Sequence, residues 1–244
     1  MKILFSIVVM ISLLFGFYGK VEPYQIYNIK SDVTGKVIEV NKSAEGKVAK
    51  GIVIKIDDYQ NRIDLNNLRT QLKNLKIVQK SQEEIMKIKE KIYSVYKKLK
   101  TKSQFDKDNK FFDYQNSKIT FFQTNNTISS IKAQIKKLED TISKKQIAFK
   151  NYIYSLNVNM GDFVNFATPI ATIMDISKTK IDIFIPIDKI ENLKNKRIFI
   201  NGKLSNFKIE KIYKVSDDKF VTSYKVELVG EYPKISDVVK VEFK

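Results

Sequence analysis

The middle of the chain, residues 58–149, carries its apolar residues in a helical rhythm. Apolar positions recur with alternating steps of three and four residues, first in an ascending run and then in a descending run. The ascending run consists of Leu65, Leu68, Leu72 and Leu75 and, after a slip of register near Val78, of Ile85, Ile88, Ile92, Val95 and Leu99. The descending run consists of Ile128, Ile131, Ile135, Leu138 and Ile142, and then of Phe149 after a polar step at Lys145. This spacing predicts two helices that each bury one narrow apolar seam, as in an antiparallel coiled coil.

Both runs lack glycine and proline, so nothing in them breaks a helix. Each run holds about 40 residues, which predicts a hairpin roughly 60 Å long at about 1.5 Å per residue. A rod of that shape encloses no pocket, and we expect it to reach, to space or to dock. The polar stretch of residues 101–110 suits the reversal of the chain at the far end.

Three aromatic residues, Phe105, Phe111 and Phe112, lie at or beside this turn. They either pack across the two arms or contact another protein, because the tip of a hairpin offers little of its own chain to cover them. The second alternative predicts a partner-binding surface at the tip. Its residues are Ser103, Gln104, Phe105, Asp106 and Lys107.

The segments on either side of the hairpin are typical of short strands, because β-branched and polar residues nearly alternate in both. The second segment repeats the cadence of the first. We therefore predict one β-domain cut in two, residues 21–57 plus 150–177, whose halves are brought together by the hairpin of residues 58–149. Four glycines are predicted to form its turns: Gly35, Gly46, Gly51 and Gly161.

The last part of the chain, residues 178–244, carries strand signals throughout. Alternation is strict at Ile181, Ile183, Ile185 and Ile187. Several short strands within so few residues predict a small antiparallel β-barrel or sandwich. The fold class is therefore α+β.

Residues 1–20 are predicted to form a signal peptide or an N-terminal membrane anchor. Residues 3–17 are almost wholly apolar, and Lys2 is the only charge before them. A core of about 15 residues is short for a membrane span and suits the apolar region of a signal peptide. Both alternatives, removal after export and retention as an anchor, place the rest of the chain outside the cytoplasm.

Composition removes several classes of chemistry. The chain has no cysteine and no histidine, which excludes disulfides, thiolate or imidazole metal ligands and cysteine nucleophiles. The net charge of +17 comes from lysines that are interleaved with acidic residues, which favours a solvated basic surface over a nucleic-acid footprint. Anionic lipid headgroups remain a possible weak partner. The adjacent carboxylates at Asp57–Asp58, Glu83–Glu84 and Asp217–Asp218 are expected on solvated surfaces, so we predict no enzyme and no catalytic, metal or cofactor-binding residue.

The order of these segments resembles the periplasmic adaptor, or membrane fusion protein, family (HlyD-like). The family's first β half typically carries Gly-x-x-Val-x-x-Gly, which is similar to Gly46-Lys47-Val48-Ala49-Lys50-Gly51. Its second half typically closes with Gly-Asp-x-Val, which Gly161-Asp162-Phe163-Val164 matches. The resemblance implies a split lipoyl-like β-domain, a coiled-coil α-hairpin inserted in it and a following β-barrel.

The resemblance also implies a function in efflux or secretion. Such adaptors link an inner-membrane transporter, ABC or proton-driven, to a TolC-like outer-membrane channel, and they assemble as a ring in the periplasm beside the inner membrane. Two alternatives remain open: a carrier protein of the lipoyl or biotinyl type, and a coiled-coil interaction protein of the cell envelope. The carrier is disfavoured because the hairpin replaces the tight turn that would display a modified lysine.

Overall fold

The computed structural model describes residues 16–191, 193–217 and 219–244. The two long helices are α1 Tyr59–Lys98 and α2 Gln104–Lys144. The strands are β1 Phe17–Lys30, β2 Gly35–Val40, β3 Lys47–Val48, β4 Ile52–Ile56, β5 Gln146–Ala148, β6 Tyr152–Leu156, β7 Phe163–Val164, β8 Pro169–Pro186, β9 Ile198–Ile200, β10 Lys203–Leu204, β11 Lys208–Asp217, β12 Phe220–Gly230 and β13 Val238–Phe243. The predicted fold class is confirmed: a long antiparallel hairpin interrupts a lipoyl-like β-domain, and a small antiparallel barrel follows.

The first β-domain has one hydrophobic core to which both halves of the chain contribute. Val37 and Ile54 come from the half before the hairpin, Ile153 and Ile170 come from the half after it, and all four are almost fully buried. In the sheet β5-β4-β2-β7, the two central strands come from the half before the hairpin and the two outer strands from the half after it, since β4 pairs with β5 and β2 pairs with β7. The hairpin therefore leaves and re-enters a domain that closes around a shared core.

The barrel has a second core of its own. Its strands follow the order β10-β9-β13-β1-β8-β12-β11, with antiparallel pairing at each step. Ile181, Ile183 and Ile185 of β8 alternate into this core and are fully buried there. Short 3-10 turns at Ile187–Lys189 and Leu193–Asn195 follow β8.

Two unusually long strands connect the cores. β1 pairs with β8 from Val21 opposite Ile181, in the barrel, to Lys30 opposite Pro169, in the first β-domain. The register shifts between Pro23 and Gln25, where the ladder passes from one domain to the other. The two β-domains are thus joined by continuous backbone pairing rather than by a loose linker.

The structure differs from the sequence prediction at the start of the chain. Residues 1–15 of the predicted leader lie outside the described residues, but Phe17–Lys20, its last four residues, form the beginning of β1 and pair with Val238–Val241 of β13. Val21, assigned from the sequence to the split domain, is buried in the barrel core. An isolated strand shows no sign in the sequence of which distant strand it pairs with, so the barrel's first strand was missed. Within residues 16–244 as described, no helix has both the length and the apolarity to cross a membrane.

Candidate functional site

A buried lysine fixes the base of the hairpin to the first β-domain. Lys145 directly follows α2, and its Nζ donates to the carbonyl oxygen of Asp57 and to Oδ1 of Asn61, each at 2.6 Å. These two bonds tie the end of α2 to the beginning of α1. The sequence predicted that the descending helix continues to Phe149, but the chain turns into β5 after Lys145 and Phe149 is buried in the β-domain core.

A carboxylate beside this lysine is also held in place. Arg62 donates to Asp58 Oδ2 at 2.7 Å, and Asp58 is buried. This hydrogen bond is the main reason that the pKa of Asp58 lies below its ordinary value, although burial works in the opposite direction. The base of the hairpin is therefore a small polar network.

The proximal half of the hairpin follows the sequence prediction. Leu65 is buried and Leu68, Leu72 and Leu75 are half-buried against α2. The descending series is likewise confirmed, because its residues are buried or half-buried in the same interface: Ile128, Ile131, Ile135, Leu138 and Ile142. An ion pair between Arg69 and Glu139, at 2.6 Å, crosses between the helices here.

The predicted seam of the distal half of α1 is wrong. Its five residues are 39% to 59% exposed: Ile85, Ile88, Ile92, Val95 and Leu99. The register does not slip near Val78. The steps of four and three continue from Leu75, and the half-buried residues that face α2 are Gln79, Gln82, Met86, Lys89, Tyr93 and Tyr96. The isoleucine series precedes these positions by one residue, which places it about 100° round the helix.

The opposing seam of distal α2 is also polar and aromatic. Its half-buried positions are Lys107, Lys110, Tyr114, Ser117, Phe121 and Thr124. Tyr93 contacts Phe111 with ring centres 5.3 Å apart and stacks on Tyr114 at 6.4 Å. The side chain of Gln79 donates to Asn125. The distal helices therefore meet through aromatic and amide contacts and leave their aliphatic residues outside.

Two apolar surfaces result, and we name them by their helices. The α1 stripe consists of Val78, Ile85, Ile88, Ile92, Val95 and Leu99. The α2 stripe consists of Phe105, Phe111, Phe112, Ile119 and Phe122. Each of these residues is at least 38% exposed, and both stripes are confined to the distal half of the hairpin.

The two stripes face different directions. In an antiparallel pair of helices, the residues that come directly after the seam positions of one helix lie on the same side of the pair as those that come directly after the seam positions of the other. Arg69 and Glu139 are two such residues, and they form an ion pair. The α1 stripe precedes its seam and so lies on the other side. Phe111 and Phe122 follow the α2 seam, and the rest of the α2 stripe lies on the back of α2. The hairpin thus has two separate apolar flanks.

The tip is shorter than predicted. Residues 101–110 were expected to form the turn, but α2 already begins at Gln104 because Ser103 caps it. Ser103 Oγ accepts from the backbone N–H of Asp106 at 3.1 Å and donates to the Asp106 carboxylate at 2.8 Å. Gln104 donates to Asp108 at 2.8 Å, and Lys107 begins the seam.

The aromatic residues of the tip divide between the two alternatives that the sequence left open. Phe111 packs against Tyr93 of the other arm, whereas Phe105 is 73% exposed and Phe112 is 60% exposed. Of the five residues predicted to bind a partner, Phe105 therefore offers the largest uncovered apolar surface.

Three of the four predicted turn glycines occupy turns or bends of the first β-domain, whereas Gly35 is the first residue of strand β2. Gly46, Gly51 and Gly161 have positive φ angles, a conformation that side chains rarely adopt. Gly35 pairs with Val164 across the two halves, and a Cβ there would lie 2.7 Å from a methyl group of Ile56. No group of three or more His, Cys, Asp or Glu that could hold a metal ion occurs among the described residues.

Comparisons with known proteins agree with this architecture. No protein-family model and no curated protein matches the chain. Among solved structures it is similar to MacA from Actinobacillus actinomycetemcomitans, with 17% identity and a TM-score of 0.77 over 94% of this chain and 78% of that one. It is also similar to the membrane fusion protein Spr0693 from Streptococcus pneumoniae, with 12% identity and a TM-score of 0.63 over 93% of this chain and 97% of that one. A MacA–MexA chimera that contains the Pseudomonas aeruginosa MexA α-hairpin domain gives 15% identity and a TM-score of 0.59 over 94% of this chain and 80% of the chimera.

The chain therefore has the fold of the membrane fusion, or periplasmic adaptor, proteins, and the resemblance found in the sequence is confirmed at the level of the fold. Sequence reasoning missed the two exposed flanks. A signal was present, because α1 carries two heptad series offset by one residue, and only one of them can face α2.

Proposed function

We propose that this chain is a non-catalytic periplasmic adaptor that links an inner-membrane transporter to an outer-membrane channel for efflux or secretion. The hairpin supplies the reach: about 40 residues of unbroken helix in each arm extend roughly 60 Å. The tip binds a TolC-like channel through Ser103, Gln104, Phe105, Asp106 and Lys107. The barrel lies at the end of the molecule towards the inner membrane, since the apolar stretch of residues 3–15 leads into β1 of the barrel.

The observation that carries this proposal is the pair of apolar flanks on the distal hairpin. Copies of an adaptor that surround a conduit must pack side by side, and each hairpin then needs two different contact surfaces. The α1 stripe of one copy and the α2 stripe of the next meet this requirement. Because the two surfaces differ, the contact is heterologous, and repetition by rotation closes a ring.

The positions of the stripe residues along the hairpin axis, here called their heights, agree with such packing. Along the hairpin, Glu90 contacts Tyr114 and Tyr93 contacts Phe111, which fixes the register of the two helices. The same register brings three pairs of stripe residues to equal heights: Ile85 with Ile119, Ile92 with Phe112, and Leu99 with Phe105. In a ring whose axis runs along the hairpins, neighbouring copies have equal heights, so these residues would meet between copies.

Disulfide cross-linking tests the ring, since the chain has no cysteine of its own. The purified double variant Ile92→Cys/Phe112→Cys should form a ladder of trimers and larger species on mild oxidation. Each single variant carries one cysteine per chain and so can give no species beyond a disulfide dimer. It should give little of that dimer, because a heterologous contact brings position 92 of one copy to position 112 of the next. A double variant that stops at dimers, or that remains monomeric, would overturn the proposed packing.

The bridging role requires a separate experiment in cells. A photo-cross-linking residue at position 105 should capture an outer-membrane channel that mass spectrometry identifies, whereas the same residue at the exposed position 73 near the base of the hairpin should not. If position 105 captures no such channel, the proposed role of the tip is contradicted. The ring is tested separately, by the disulfide cross-linking. A lipoyl or biotinyl adduct on the purified protein would instead favour the carrier alternative.

A further inference from the structure

The barrel is not closed by backbone pairing. β10 and β11 are the two ends of its sheet, and no strand pairing joins them in the described part of the chain. A cavity of about 1030 Å³ opens between these ends. Small-molecule sites typically occupy about 300–1000 Å³, so the space is sufficient for an organic ligand.

The floor of this cavity is apolar. Leu193, Ile198 and Phe207 line it and belong to the buried barrel core. Phe207 can occupy its place because residue 230 is glycine: a Cβ there would lie 2.7 Å from the phenyl ring. Half-buried side chains of β11 extend the apolar lining towards the opening, among them Ile209 and Ile212.

The rim of the cavity is mostly cationic. Five basic residues line it, and two acidic ones, Glu191 and Glu210, accompany them. The basic residues are Lys196, Arg197, Lys208, Lys211 and Lys214. None of these five side chains has a counter-ion in the protein. Among the described residues, they take part in no ion pair or hydrogen bond.

Other lysines of the same barrel provide the contrast. Lys225 lies 2.6 Å from Asp182, and Lys240 lies 2.6 Å from Glu242, which also binds Lys244 at 3.0 Å. The charges of these lysines are thus neutralised by carboxylates of the protein, while those of the rim lysines are not. An anion at the rim would complete the pattern.

A peptide strand added to β11 is a less suitable occupant. The pairing of β11 with β12 is irregular at three places, between Ile209 and Lys211, between Ile212 and Ser216, and at Asp217. Bulges and lysines are devices by which proteins prevent strand addition at an edge. The edge is therefore a poor template for a strand, whereas the apolar floor and the cationic rim remain available to a small molecule.

We propose that this cavity binds a single-chain anionic amphiphile, with its alkyl chain on the apolar floor and its carboxylate or phosphate head at the cationic rim. Both parts contribute: the chain gains from leaving water, and the head gains charge-assisted hydrogen bonds. This proposal does not depend on the hairpin or on the ring.

Calorimetric titration of the full chain with dodecanoate, below its micelle concentration, tests the site. Saturable binding at one molecule per chain is expected, and acetate, which lacks the alkyl chain, should not bind. Dodecyl maltoside, which lacks the charge, should bind at least about tenfold more weakly, the loss expected for removing charge-assisted contacts. Dodecyl phosphate distinguishes a carboxylate-selective site from one that also accepts phosphate heads.

Two variants locate the site. Lys208→Glu/Lys211→Glu/Lys214→Glu should weaken dodecanoate binding at least about tenfold, and Leu204→Glu, at an exposed position of the lining, should weaken it as well. The matched control Lys36→Glu/Lys47→Glu/Lys50→Glu makes the same change of charge at exposed lysines of the first β-domain and should leave binding within twofold. Absence of saturable binding, equal losses in both triple variants, or displacement of dodecanoate only by an acidic peptide would overturn the proposal.

Discussion

The two halves of the hairpin bury different kinds of residue between their helices. The proximal half encloses leucine and isoleucine between its helices, while the distal half encloses glutamine, lysine and tyrosine and exposes its isoleucines. Both halves carry a heptad pattern of equal clarity. The difference teaches that a heptad pattern alone does not tell which of its apolar residues the partner helix of the same chain buries.

The distal seam also contains a polar atom without a partner. Oε1 of Gln82 is buried, and among the described residues it has no hydrogen-bond partner. Leaving a buried acceptor unpaired costs about 1–3 kcal/mol. The distal half is therefore expected to open more readily than the proximal half.

The largest expected difference between the halves comes from removing one isoleucine from each. Ile128 is 4% exposed and Ile88 is 59% exposed. Ile128→Ala should lower the free energy of unfolding by about 2–5 kcal/mol because it leaves a cavity in the proximal seam. Ile88→Ala should change it by less than about 0.5 kcal/mol. Urea unfolding of dilute protein, followed by circular dichroism at 222 nm, measures both, and equal losses would break the comparison.

Two lysines of the seams offer the next contrast. Lys145 is buried and donates two hydrogen bonds, whereas Lys89 is half-buried in the distal seam and makes no side-chain bond to any described residue. Lys145→Met should cost about 2 kcal/mol or more, since it removes two charge-assisted bonds. Lys89→Met should be neutral or stabilising, because it replaces an unpaired charge with an apolar side chain of similar length. The same unfolding curves test this, and a greater loss for Lys89→Met would contradict the assigned seam.

Much of the fold was predictable from the sequence, and the failures have identifiable physical causes. The proximal seam, the two-part β-domain and the barrel follow from local periodicity. The distal seam could not be chosen by hydrophobicity, because Ile85 and Ile88 are more apolar than the Gln82 and Met86 that face α2. The residues that face α2 are those that continue the steps of four and three residues from Leu75. This register is fixed by the contact between the two helices, and hydrophobicity does not determine it. The opening in the barrel also depends on pairings between distant strands, which no local pattern specifies.

A smaller and opposite effect is expected at Gln82. Gln82→Leu should raise the free energy of unfolding by about 1 kcal/mol, because it removes the unpaired buried acceptor and adds apolar surface to the seam. Gln79→Leu is the matched control. It should be destabilising, since Gln79 donates to Asn125 and its loss leaves that amide oxygen unpaired. If both substitutions stabilise the protein equally, the distal seam simply prefers apolar residues and its polar contacts have no role in register.

The smallest effect is expected at the base of the hairpin, where it appears as a dependence on pH. The pKa of Asp58 lies below its ordinary value of 3.8, first because Arg62 donates a hydrogen bond to it. A carboxyl whose pKa is lowered on folding stabilises the protein above the unfolded pKa, and this contribution is lost as the pH falls through the folded value. Wild type should therefore exceed Asp58→Asn in stability by a constant amount above about pH 5, and the difference should disappear as the pH falls below 3.8. In an Arg62→Gln background the difference should be smaller and shift towards higher pH, because the bond that lowers the pKa is absent. A difference that stays unchanged in that background would show that Asp58 is held by the β-domain and that the first turn of α1 contributes nothing to anchoring the rod.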